Sequence, residues 1–189
     1  MSGEGIALRV AVPAGKYMRV LRRFVLSPDR DCPAAYGYHN AVAELGLVPD
    51  GQQRPGRDDD HPHDKPGWPA ECACGYQFRP EDSWQRADNE VYRLPDGTEF
   101  TLGGSLGMAA PPGTMIRVPW FDDIDPERGE AWNVVLPDGG EWITTQKARG
   151  GGHWTVTGTP PLITVSPSIW HNQPDGWHGW IRDGALVDA

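Results

Sequence analysis

Two sets of side chains in this sequence are of types that do chemistry. The first is Ser168 and His178, which lie in residues 162–187 (LITVSPSIWHNQPDGWHGWIRDGALV). Residues 172–176 (NQPDG) are dense in turn formers, and residues 182–184 (RDG) are a second hairpin signal. If the first turn folds the chain about Gln173, positions whose numbers sum to about 346 face each other, and Ser168 falls opposite His178. A hydroxyl and an imidazole across an antiparallel pair have the geometry of a nucleophile and its general base. The alternative is a serine and a histidine that merely share one face of a sheet. Asp175 or Asp183 is available as the orienting carboxylate, with Asp183 the expected one, and a backbone N–H near Ser168 is available to an oxyanion. Ser166 is the competing nucleophile. No G-x-S-x-G elbow is present, which sets the chain apart from ordinary α/β-hydrolases.

The second set is made of thiols. Cys72-Ala73-Cys74-Gly75 places two sulfurs on one tight turn, and Cys32 is a third. Zinc held structurally takes four ligands, mostly Cys and His. His39, His61 or His63 can complete the set, with His63 the expected ligand. Three reduced cysteines without metal are the alternative. An odd count with a close C-x-C pair is a poor disulfide framework and suits a reducing compartment.

The elements that must position these residues read as mainly β. Twenty-four glycines and 19 prolines in 189 residues disfavour long helices and favour short strands and turns. Of nine tryptophans, all but Trp68 lie from Trp84 onward, which puts the aromatic core toward the C-terminus. Residues 94–101 (LPDGTEFT) and 136–143 (LPDGGEWI) are one hairpin written twice. Residues 162–170 alternate, with Ile163, Val165 and Ile169 on one face and Ser168 and Trp170 on the other. Pro167 interrupts that strand and can re-aim Ser168. Residues 153–159 (HWTVTGT) alternate as a half-buried strand.

The fold class is therefore mainly β (α+β), with repeated hairpins in a sandwich or partly open barrel. One or two short helices are expected early in the chain. Residues 33–47 are the best helical candidate, residues 17–26 are open to helix or strand, and residues 80–90 read as a short polar helix. Three regions follow: 1–48 mixed, 49–67 a polar loop or linker, and 68–189 a Trp-rich β domain bearing the Cys turn. The linker's Asp58–Asp60, His61, His63 and Asp64 invite a metal reading against a solvated loop.

A net charge of −9 argues against nucleic acid as the partner. No apolar run is long enough for a transmembrane helix, and no secretory leader is visible, so no membrane partner is expected.

Residues 154–158 (WTVTG), 162–169 (LITVSPSI) and 177–184 (WHGWIRDG) resemble the C-terminal signature of a bacterial and phage family. Some of its members sit beside genes for bacterial ubiquitin-like conjugation, where they are regarded as serine peptidases. A CxCG-type turn, a "PS-[IV]" strand and a strand with His and an aromatic mark that family, and Cys72–Gly75, Pro167-Ser168-Ile169 and His178-Gly179-Trp180 fill those places. The resemblance implies Ser168 as nucleophile, His178 as base, and a protein substrate or partner. Most of the chain, including residues 31–42 and 68–78, also looks like proteins encoded by bacteriophages of actinobacteria. That likeness implies the host cytoplasm, or the virion if the protein is a structural component or interaction module.

Overall fold

The structure, a computed structural model, describes residues 5–27, 32, 38–52, 69–101, 110–124, 129–145, 152–171 and 176–189. It is mainly β and includes a half-barrel sheet. The expected helices are absent from the described residues, where a 3-10 turn at Pro119–Ile124 is the helical element present. The chain forms two compact units, residues 1–12, 93–98 and 110–189 in one and residues 13–92 and 99–109 in the other.

In the first unit, β1 (Ile6–Ala7), β12 (Ile169–Trp170), β13 (His178–Arg182) and β14 (Ala185–Asp188) form a sheet of order β1-β14-β13-β12. A second sheet joins β2 (Arg9–Val10), β7 (Thr114–Arg117), β8 (Trp132–Val135) and β9 (Glu141–Ile143) in the order β2-β7-β8-β9. β10 (Thr155–Thr159) and β11 (Leu162–Ser166) make a two-stranded ribbon. The core of this unit collects Leu8, Met115, Val134, Trp142, Ile163, Val165, Ile169, Ile181 and Leu186. The alternation expected for residues 162–170 is present: Ile163, Val165 and Ile169 are buried, while Leu162 and Trp170 face solvent. β10 departs from the expected half-burial, for all five of its residues are exposed.

In the second unit, the order is β4-β3-β5-β6, with β3 (Val12–Leu26), β4 (Tyr38–Pro49), β5 (Ser83–Arg93) and β6 (Glu99–Thr101). β4 overturns the helix expected over residues 33–47. Its alanines permit a helix, but eleven residues of β3 pair antiparallel with it, from Lys16↔Pro49 to Leu26↔Tyr38. That ladder satisfies backbone groups a local helix would have closed on itself, and tertiary pairing overrides weak propensity. The register shifts between Arg19 and Val20, where β4 spends one extra residue, Leu45. β5 replaces the polar helix expected over residues 80–90. Its charges are taken up across the sheet, since Arg19 makes a bidentate pair with Asp88 at 2.7 Å and 2.7 Å. Ala87 and Val91 pack against Met18 and Val20.

The repeated LPDG stretches adopt one turn twice. Leu94 N–H donates to the Thr98 carbonyl and Leu136 N–H to the Gly140 carbonyl, at 2.9 and 2.8 Å. Asp96 and Asp138 each accept a backbone N–H two residues on, at 2.9 Å in both turns. The RDG signal is a two-residue hairpin turn with φ of 46° at Asp183 and 77° at Gly184, the type I′ pattern.

Candidate functional site

β11 ends at Ser166 and β12 begins at Ile169, so Ser168 sits at the entry to β12 beyond Pro167. The β12–β13 register pairs Ile169 with Gly179 and Trp170 with His178. Position numbers therefore sum to 348, two more than the turn residues suggested. A two-residue shift preserves the face of every side chain. Ser168 is thus a diagonal neighbour of His178, within reach of a ring. Its Oγ lies 3.1 Å from His178 Nε2. With the proton on Nδ1, Nε2 accepts from the serine hydroxyl.

Gly179 beside the histidine is dictated by packing. A Cβ there would lie 2.3 Å from the Trp177 ring and 2.2 Å from the Val187 carbonyl. On the outer face, Arg182 stacks over Trp180 at 4.6 Å.

Asp183 stands in the turn after β13, five residues on from His178, roughly 16 Å along the strand at about 3.3 Å per residue. Its Oδ1 accepts from the Thr164 hydroxyl at 3.2 Å, and its N–H donates to Thr164 Oγ1 at 3.0 Å. The carboxylate is occupied in holding β11 to the β13–β14 turn rather than in orienting the ring. Asp175 lies outside the described residues.

A different carboxylate braces the β12–β13 hairpin. Asp138 Oδ2 bonds His171 Nδ1 and accepts from Trp177 N–H, both at 2.7 Å. His171 N–H in turn donates to the Trp177 carbonyl at 2.9 Å. Burial raises the Asp138 pKa, but the Trp177 N–H, His171 and the Gly140 N–H outweigh it and hold the carboxyl below its usual range. The sequence held a signal for this clip, because Asp138 occupies the Asp of the PDG turn, but no spacing rule connects it to His171.

The thiol set also assembles. Cys32, His39, Cys72 and Cys74 bring their ligand atoms within 4.8 Å of one another. Cys32 Sγ lies 3.5 Å from Cys72 Sγ, and His39 Nδ1 lies 3.2 Å from Cys74 Sγ. His39, on β4, is the histidine in this group. His63 and His61, with the acidic run beside them, lie outside the described residues.

The Cys turn is tight: Gly75 N–H donates to the Cys72 carbonyl at 2.8 Å, and Cys72 N–H to the Tyr76 carbonyl at 2.9 Å. Gly75 has φ of 91°, which a side chain at that position disfavours. The His39 ring stacks on Tyr76 at 4.1 Å. Arg23, buried on β3, donates to the carbonyls of Pro69 and Arg79 on either side of the turn.

Zinc bonds of about 2.3 Å to sulfur and 2.1 Å to nitrogen set tetrahedral ligand atoms roughly 3.4–3.8 Å apart. The group matches that cage in donor type, and its ligand atoms lie near that spacing, all within 4.8 Å of one another. Burial pushes the Cys72 thiol up, and the backbone groups of Cys74 and Asn40 with the sulfurs of Cys32 and Cys74 outweigh it. The net result is about 7, so thiolate is accessible near neutrality.

No curated protein and no solved structure matches the chain. Phage origin and virion association have no counterpart in the fold. Residues 126–188, which hold Ser168, His178, Asp138 and His171, match the model of the family described as bacterial ubiquitination-like system serine protease (BubE).

Proposed function

We propose that the chain is a serine hydrolase that cleaves an acyl bond in a protein substrate, with Ser168 as nucleophile and His178 as general base. The Ser168 Oγ to His178 Nε2 contact of 3.1 Å carries this reading, and the family match over residues 126–188 supports it. His178 Nε2 takes the Ser168 proton as Oγ bonds to the substrate carbonyl carbon, whose oxygen becomes the oxyanion. The carbon–nitrogen bond then breaks, and His178 returns the proton to the leaving amine. Water repeats the sequence on the acyl-serine ester, releasing the acid and free Ser168. Trp170 and Trp180 flank the pair and give the substrate backbone apolar surface to cover.

A fluorophosphonate reagent is expected to place one adduct on Ser168. His178→Ala slows that reaction by about 10²–10⁴-fold. A folded sample that takes no adduct, or a Ser168→Ala variant labelled as fast as the parent, sinks the reading in favour of a binding module.

A second reading concerns the other unit. We infer that Cys32, His39, Cys72 and Cys74 hold one structural zinc ion, the support being their four convergent ligand atoms. The ion would cross-link the Cys turn to β4, with thiolates and a neutral imidazole as donors. Elemental analysis of protein purified without added metal should find about one zinc per chain, the stoichiometry of a four-ligand site. A Cys74→Ser protein that keeps full metal content refutes that ligand set.

A further inference from the structure

Trp154, whose indole contacts the Ser168 backbone, is one wall of a cavity of about 420 Å³. Trp132 of β8, Trp154 ahead of β10, Val156 of β10 and Ile163 of β11 are among its walls. Thr144 and Thr145, just past β9, supply buried hydroxyls. Trp154 belongs to both places. Its ring is one wall, and its indole N–H donates to the Ser168 carbonyl at 3.2 Å. The indole therefore connects the cavity to the backbone of Ser168.

The backbone beside it is suited to an extended peptide. β12 is the last strand of its sheet among the described residues. His171 N–H bonds the Trp177 carbonyl, so in this register the Trp170 N–H and C=O point away from β13. A peptide added along that edge would exchange hydrogen bonds with Trp170 and run past Ser168.

We propose that the cavity receives a bulky apolar side chain, aromatic or branched aliphatic, adjoining the bond that Ser168 attacks. This rests on the hydrolase reading above. Two indoles and two β-branched residues present apolar surface to the occupant, and pockets of this make-up bind large apolar groups. One hydroxyl is already engaged, since Thr144 Oγ1 accepts from Trp132 N–H at 3.0 Å. Glu130, also on the lining, is an exposed carboxylate. It disfavours an acidic side chain, and its pairing with Arg117 at 3.7 Å leaves it a weak lure for a basic one. Glycine would leave the space filled with water.

The test uses peptidyl phosphonate esters carrying Gly, Leu, Phe, Lys or Asp next to phosphorus, with the rate of Ser168 modification read by intact mass. Phe and Leu are expected to react at least about tenfold faster than Gly and Asp, the scale at which an apolar pocket discriminates. Val156→Trp, which fills the cavity from an exposed strand, should bring the Phe/Gly ratio toward one, and Val156→Phe should lower it partway. A flat series, a preference for Lys or Asp, or a Phe/Gly ratio unmoved in both variants overturns the proposal.

The hydrolase reading fails separately, if no reagent modifies Ser168. The cavity is then read in Ser168→Ala with N-acetyl-phenylalanine methylamide and its glycine counterpart. Saturable shifts of the Trp132 and Trp154 indole N–H resonances with the first and not the second support the cavity. Equal shifts or none overturn it.

Discussion

The contact between Ser168 and His178 depends on the register of β12 and β13, and Asp138 braces that register. It joins the PDG turn of β8–β9 to both strands of the neighbouring hairpin, through His171 and the Trp177 N–H. Hydrogen bonds to an ionised group contribute about 1.5–3 kcal/mol, so Asp138→Ala should cost about 2 kcal/mol in chemical denaturation. The sign of its pH dependence follows from a carboxyl held below its unfolded value. The contribution is complete above the unfolded carboxylate range near pH 4 and is lost as pH falls through the lower native value. Unfolding curves of the parent and Asp138→Ala should be separated by a constant gap from pH 5 to 7 and converge toward pH 2–3. A gap that persists to pH 2 would show that the clip does not depend on ionisation. Reading residues alone found the serine, the histidine and the three cysteines, because each is a chemically unusual side chain in a short motif. It passed over Asp138 and Trp154, because one looked like turn punctuation and the other like core.

At the scale of elements, legibility followed how local the cause was. Turns were readable: the LPDG pair and the Asp183-Gly184 type I′ turn depend on residues within a few positions of one another. The alternation of β11 was readable for the same reason, since Ile163 and Val165 need only a core face. The N-terminal elements were not. Residues 38–49 and 83–93 have compositions that suit a helix or a polar surface, and they become strands because β3 is long enough to pair with one and lie beside the other. Nothing in residues 33–47 announces a partner such as Lys16 or Arg22. The hairpin register was misjudged by two positions, yet the contact between Ser168 and His178 stands. An even error leaves a side chain on its face, whereas an error of one would have sent His178 into the core with Ile181. The two faces differ in energy, for burying each of Ile169, Ile181 and Leu186 is worth roughly 1.5–3 kcal/mol. That difference made the face more predictable than the pairing.

For the whole molecule, the two candidate centres fall in different units. The four metal-ligating residues all belong to the unit of β3 to β6, and the Ser168–His178 pair belongs to the other. No helix among the described residues is long and apolar enough to cross a membrane. A structural zinc ion contributes folding free energy of its own unit, up to about 10–16 kcal/mol in small zinc modules. Chelation should accordingly raise hydrogen exchange in β3 and β4 first, while the amides of β11, β13 and β14 hold their protection. Equal loss of protection in both units would contradict a local role for the metal.

The pairing of Ile6 with Leu186 has a further consequence. It closes β1 onto β14, a strand 180 positions further along the chain. Until residues 185–188 are in place, β1 lacks its partner strand and the outer edge of β13 stays open, whereas β2 can already join β7. Such long-range closure is slow. A chain that stops short of residue 185 therefore leaves β1 unpaired and the strand that carries His178 with an open edge.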